Sequence, residues 1–233
     1  MIVSTHQPNY IPWLGFFYKI WKSDVFVFLD DVQFSKKGMH NFHFLKGDTE
    51  GIKINIPVKH SYTDPINKVL TNDAGGWKER HLDLITHNYK QAPFFELIFK
   101  DYKEVLIKEY ATLSELNIAL ITMISGKFKF DTKFVTSSSL LIDAKREDRI
   151  IAICKKLNAT VYYSGRGAKA YQSAENFHQN GLELVYDDYI PLPYNQLHGD
   201  FIANVSIIDF LMNYGYDWQY VENKYKLNSL KNE

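Results

Sequence analysis

Four polar side chains crowd into one short stretch near the start of the chain: His6, Gln7, Asn9 and Tyr10, in Thr5-His6-Gln7-Pro8-Asn9-Tyr10. A histidine there suits proton donation or phosphate binding, with amides and a phenol to orient a ligand. The alternative is structural, with Gln7 and Asn9 tying down the loop backbone. A second group, Asp30 and Asp31 with Gln33 two residues on, offers carboxylates for a metal, a ribose hydroxyl or a general base. Solvated carboxylates at a strand end are its plainer reading. A third, Lys36, Lys37, His40 and Asn41, places lysines near those carboxylates, where they suit a phosphate or are simply solvated surface.

The fourth group is Ser164-Gly165-Arg166-Gly167, with Lys169 and Tyr171. Glycine lets a backbone approach a phosphate closely, and a following helix start adds free N–H donors. The turn lacks the Gly-x-x-x-x-Gly-Lys spacing of a P-loop and the third glycine of a dinucleotide fingerprint. No His-Glu-x-x-His motif or other metal signature occurs, and Ser137-Ser138-Ser139 reads as a cap or turn.

The elements that must position these groups follow from the apolar pattern. Ile2 to Thr5 reads as a strand, followed by a loop and a helix from Pro12 or Trp13, where proline's missing N–H is harmless. Val25-Phe26-Val27-Phe28-Leu29 is continuously apolar, as in a strand covered on both faces. The two strands and intervening helix form a βαβ unit with parallel pairing. Phe42 to Leu45 and Ile52 to Val58 alternate as hairpin strands about a Gly47–Gly51 turn, with His43 on the face opposite Phe42 and Phe44. Residues 59–76 read as an extended loop and about 77–128 as helical, with Ser114 as an N-cap. Phe134 to Thr136 reads as a short strand, and Arg146 to Leu157 as an amphipathic helix with Cys154 on its apolar face. A second βαβ unit spans Thr160 to Tyr186, its helix stopped by Gly181. C-terminal helices follow at about 206–225, capped by Ser206 and interrupted by Gly215, and the run from Lys224 to Glu233 is expected to fray.

These elements predict one α/β domain over residues 1–233: a mainly parallel, Rossmann-like sheet with a β-hairpin insertion and a helical middle segment. Ligands in such sheets bind outside the carboxyl ends of the strands. One pocket is therefore expected from the segments His6–Tyr10, Asp30–Asn41 and Ser164–Tyr171.

The bulk properties narrow the partners. With 27 basic and 27 acidic residues, the zero net charge gives no electrostatic case for nucleic acid. The single cysteine excludes an intrachain disulfide and a cysteine metal cluster. No basic stretch leads into an apolar run at the N-terminus, and no apolar run approaches the roughly 20 residues that span a bilayer. A cytoplasmic location is expected.

The stretch from His6 to Lys19 closely resembles the start of the WbqC-like family. So, in order along nearly the whole chain, do Leu29-Asp30-Asp31-Val32-Gln33-Phe34, Ile56-Pro57-Val58, Tyr163-Ser164-Gly165 and Ser206-Ile207-Ile208-Asp209. The family pattern has Asn-Arg-Asn before the hairpin strand; Asn41-Phe42-His43 departs from it, so no arginine role carries over. The family is bacterial and occurs in loci for surface polysaccharide biosynthesis, which implies making or modifying a sugar, often an activated one. A looser likeness to nucleotidyltransferase-type folds is architectural, since their HxGH form is missing.

Together these readings point to a transferase acting on a nucleotide-linked sugar, with no cofactor specified. His6 and Asp30 are its acid/base candidates. Gln7, Asn9, Tyr10, Asp31, Gln33, Lys36, Lys37, Asn41, Ser164, Gly165, Arg166 and Tyr171 are its ligand-binding candidates. The rival is a non-catalytic protein that binds a sugar or a partner enzyme. It draws on the lack of any triad, metal set or cofactor motif and on the 15% aromatic content, which suits stacking on sugar rings.

Overall fold

The computed structural model describes residues 1–229. The chain begins with β1 (Ile2–His6), α1 (Leu14–Trp21) and β2 (Val25–Phe28). A hairpin follows, β3 (Phe42–Lys46) and β4 (Gly51–Asn55), then a short antiparallel pair, β5 (Val58–Lys59) and β6 (Leu70–Thr71). Three helices come next, α2 (Trp77–Tyr89), α3 (Phe95–Leu106) and α4 (Leu113–Lys127). The chain then returns to the sheet through β7 (Lys133–Thr136), α5 (Arg146–Lys156), β8 (Val161–Ser164), α6 (Ala174–Gln179) and β9 (Glu183–Tyr186). Helices α7 (Ile207–Tyr214) and α8 (Trp218–Ser229) complete the described chain.

Five parallel strands form the main sheet in the order β7-β2-β1-β8-β9. This is the expected Rossmann-like α/β architecture. The chain winds outward from β1 through β2 to β7, then crosses back to β8 and winds the other way. The order therefore reverses between β1 and β8, and the crevice above that junction is where such sheets bind ligands. The hairpin pairs only with itself.

Successive side chains of a strand point to opposite faces, and β2 shows why its run is apolar throughout. Phe26 and Phe28 enter a large aromatic core with residues of α1, α4 and α7. Val25 and Val27 enter a smaller core on the other face, with Ile151, Cys154 and Phe177 from α5 and α6. Both faces are covered, so neither side of the strand needs polar residues.

Several boundaries differ from expectation. Helix α1 begins at Leu14, with Trp13 at its N-cap position and Pro12 just outside. Thr112, not Ser114, caps α4: its hydroxyl accepts from the Glu115 N–H, and Ser114 is buried within the helix. The loop at 59–76 contains β5, β6 and a single 3₁₀ turn, Ile66–Lys68. Helix α8 continues through Ser229, past the point where fraying was expected, and residues 230–233 lie outside the described residues. No helix among the described residues is long and apolar enough to cross a membrane.

Candidate functional site

A cavity of about 890 Å³ lies at the carboxyl edge of the sheet. Thr5, His6 and Gln7 line it from the end of β1, and Leu29 and Val32 from beyond β2. Ser164 to Ala168, with Tyr171 and Gln172, line it from beyond β8. Trp13, Gly15, Phe16 and Lys19 contribute from α1 and its entry, Arg146 and Arg149 from α5, and Asp187 from beyond β9. A second cavity, about 1020 Å³, is a polar groove at the opposite edge, lined by Asp24, Lys129, Asp131 and Asp217. The switch-point crevice is the site the topology favours.

The loop after β1 is held rigidly from behind. Asn117 of α4 donates to the carbonyls of Pro8 (2.9 Å) and His40 (2.7 Å), and Ser206 donates to the Ile11 carbonyl (2.8 Å). Asn9 and Tyr10 belong to this scaffold and do not line the cavity. Asn9 is buried, and its Oδ1 accepts from His40 Nδ1 at 3.2 Å. His81 Nε2–H donates to the Asn55 carbonyl (3.1 Å), which leaves Nδ1 to accept from the buried Tyr10 hydroxyl (2.8 Å). Tyr102 completes the chain at the Tyr10 oxygen.

His6 faces the cavity with its ring edge-on to Phe16 and Trp13, centroids 4.8 and 5.9 Å away. Nδ1 lies 2.9 Å from the Gln7 carbonyl. A carbonyl only accepts, so Nδ1 carries the proton and Nε2 is a bare acceptor. Burial, assisted by the Lys19 ammonium and opposed by the Gln7 bond, pulls the imidazole down to about 3. It is neutral at pH 7 and its one N–H is engaged. Of the roles expected for His6, acid/base group or phosphate ligand, this arrangement presents to the cavity a hydrogen-bond acceptor at Nε2.

Lys19 is the feature that sequence patterning passed over. It lies in the last turn of α1, is 5% exposed, and donates from Nζ to the Thr5 carbonyl at 2.9 Å. Burial draws its ammonium down to about 8, with Asp187 acting in the opposite sense. No carboxylate lies within ion-pair distance of it among the described residues. Opposite stands the turn after β8. Gly165 has φ −68° and ψ 143°, which any residue adopts, yet a Cβ built there would lie 3.9 Å from Lys19 Nζ. A Cβ on Gly167 would meet nothing within 4 Å. The fold does not itself require either glycine. Ser164 is buried and donates to Gln172 Oε1 at 2.7 Å, Arg166 Nε donates to the Asp187 carbonyl at 2.6 Å, and Tyr171 is 74% exposed.

The structure does not bring the segment from Asp30 to Asn41 into the cavity as a set of ligand groups. Asp30 is buried, and each of its carboxylate oxygens is occupied. Oδ1 accepts from the Ser138 N–H (3.0 Å) and shares the single Ser137 hydroxyl proton (3.2 Å) with Asp31, and Oδ2 accepts from Ser138 Oγ (2.6 Å) and Asn67 Nδ2 (3.2 Å). It is an architectural clamp joining the ends of β2 and β7, and no oxygen is left to act as acid or base. Asp31 accepts from Arg149 Nη2 through both oxygens, at 2.5 and 2.6 Å. Burial alone would raise its carboxyl, but the Ser137 hydroxyl and the Arg149 guanidinium outweigh that and hold it below the ordinary carboxylate value. Asp31 thereby fixes Arg149, which lines the cavity. Gln33 donates to the Tyr62 carbonyl (2.9 Å), and Asn41 ties the hairpin to the Ile56 carbonyl (2.8 Å). Lys36 and Lys37 are exposed on a loop outside the cavity lining.

The lining carries four cationic side chains, Lys19, Arg146, Arg149 and Arg166, against two acidic ones, Glu147 and Asp187. Glu147 is engaged by the Ser173 N–H and Asn176 Nδ2. The balance favours an anionic ligand, while Trp13, Phe16 and Tyr171 provide aromatic surface. Among the described residues no group of three or more His, Cys, Asp or Glu side chains is arranged to hold a metal ion.

Uncharacterized protein Rv1507c of Mycobacterium tuberculosis is 30% identical over 217 residues, covering 91% of this chain and 94% of the relative. No solved structure matches the chain. The family described as the WbqC-like protein family matches residues 7–219, which contain most of the cavity lining, and the chain belongs to that family.

Proposed function

We propose that the switch-point cavity binds a nucleotide-linked sugar and that the chain acts on it as a transferase in the assembly of bacterial surface polysaccharide. The observation that carries this reading is the pair of glycines the fold does not need. Gly165 and Gly167 keep side-chain volume out of a space walled by cations, the arrangement that close approach of a phosphate requires. Trp13 and Tyr171 suit stacking on a sugar or base. His6 Nε2 is available to accept a hydrogen bond from a substrate hydroxyl. Membership of a family found in polysaccharide loci supports the sugar.

Isothermal titration of the intact protein with a panel of UDP-, GDP- and dTDP-sugars tests the reading. Saturable binding of at least one is expected, weakened roughly tenfold or more by Gly165→Ala with an unchanged melting temperature. Absence of binding across the panel contradicts it.

One observation favours the second reading, a non-catalytic binder: Asp30 is fully engaged outside the cavity, so of the expected acid/base pair only His6, held neutral, faces it. His6→Ala separates the two. A catalytic role costs about 10²-fold or more in turnover with binding largely kept. A binding role weakens affinity and has no turnover to lose.

A further inference from the structure

We infer that Lys19 is the anchor for a phosphate-type anion, which it holds against the Gly165–Gly167 turn at the β1–β8 junction. The inference rests on the cavity being the ligand site, but not on the ligand being a sugar.

The argument starts from an incomplete charge. An ammonium has three donors, and Lys19 uses one, on the Thr5 carbonyl. It is 5% exposed and has no ion-pair partner among the described residues. Burying a lone charge is unfavourable unless something supplies the opposite sign. The titratable groups that line the cavity with it are His6 from β1, Tyr162 from β8, Arg166 and Tyr171 from the segment after β8, Arg146, Glu147 and Arg149 from α5, and Asp187 from beyond β9. Of these only Glu147 and Asp187 are acidic: Glu147 is held by the Ser173 N–H and Asn176, and neither lies within ion-pair distance of the ammonium.

The complementary space is on the other side of the crevice. The spot a Gly165 side chain would fill is at van der Waals distance from Lys19 Nζ. An oxygen there would lie within ion-pair distance of the ammonium. The N–H groups of Arg166 and Gly167, in the same turn, donate to no other described group. A compact ammonium with scattered amides suits a tetrahedral oxyanion. A planar carboxylate is better matched by the fork of an arginine.

The plain alternative is that Lys19 merely caps the end of β1 through the Thr5 carbonyl. The two ideas differ in what Lys19→Met does. If Lys19 is held charged for a ligand, the variant melts at a higher temperature than wild type and loses pyrophosphate binding by at least tenfold. If Lys19 is a structural cap, the variant melts lower and binds pyrophosphate as wild type does, which overturns the inference. Gly165→Val is the second variant, because it fills the cradle and leaves Lys19 in place. Loss of pyrophosphate binding at an unchanged melting temperature is expected, and undiminished binding overturns the inference, as does a wild-type protein that does not bind pyrophosphate. The sugar reading fails separately. Pyrophosphate bound by wild type but not by Lys19→Met, with no nucleotide sugar bound by either, keeps the anchor and removes the sugar. A nucleotide sugar bound equally by both proteins removes the anchor and keeps the sugar.

Discussion

At the carboxyl end of β2, Asp30 is enclosed by Ser137, Ser138 and Asn67, which occupy both of its oxygens. One and two strands away, at the ends of β1 and β8, a buried ammonium, a bare imidazole nitrogen and a glycine turn face a cavity with their hydrogen-bonding capacity incomplete. Both clusters are polar, and both crown parallel strands at the edge where ligands bind. The difference lies in satisfaction. A group whose partners are all internal stabilises the fold, and a group left waiting for a partner inside a cavity is a site.

The largest expected effect comes from buried histidines on both sides of this divide. The scaffold behind the first loop contains buried neutral histidines. Burial lowers His40, His43 and His81 from the ordinary 6.5 to about 4, and His6 to about 3. Below pH 6.5 the unfolded chain takes up protons that the native protein refuses, so stability falls as pH falls through this window. Asp209 opposes them: burial raises its carboxyl to about 6, so its own contribution falls as pH rises toward 6. Four groups outweigh one, and a net loss on the order of 10 kcal/mol is expected between pH 6.5 and 4. Melting temperature against pH measures it, and a flat profile would show that these rings are not held neutral.

Next is Asp30→Ala, which strips a buried clamp and leaves Ser138 unpaired. A loss of roughly 3 kcal/mol in urea unfolding is expected, with ligand affinity of the folded protein unchanged. Weakened affinity at full stability would move Asp30 back into the site. Lys19→Met should act in the opposite direction, stabilising by about 2 kcal/mol at pH 7, since a pKa lowered from 10.5 to about 8 means the native state tolerates the charge poorly. Wild-type stability should rise between pH 8 and 10.5, where the unfolded chain keeps a proton that buried Lys19 has released, and the variant should lack that rise. Smallest is Gly165→Ala, with a stability change within about 0.5 kcal/mol and its whole effect on binding.

This contrast also explains what could be read from the sequence. Continuous apolar runs such as Val25 to Phe28 marked strands covered on both faces, and the glycines after β8 marked an open turn. The Asp30 clamp was not legible, because its partners Ser137 and Ser138 lie more than a hundred residues away and read locally as a turn. The same holds for Asp31 and Arg149, joined across 118 positions. Lys19 left a signal that hydrophobic patterning discards: it stands in Leu14–Trp21, a helix otherwise almost wholly apolar, where no solvent-facing stripe is available for a lysine. Asn9 and Tyr10 misled for the reverse reason, since polar residues beside a strand end also build the loop that holds it.

The central claim is that the unsatisfied cluster, and not the satisfied one, meets the ligand. Amide chemical-shift perturbation in the ¹⁵N-labelled intact protein, titrated with pyrophosphate and then with a nucleotide sugar, compares the two regions in one experiment. The account predicts that the largest shifts fall on Gly165, Arg166 and Gly167 and on Thr5 to Gln7, with Asp30, Ser137 and Ser138 nearly still. Shifts concentrated on Asp30 to Asn41, with the glycine turn unmoved, would contradict it.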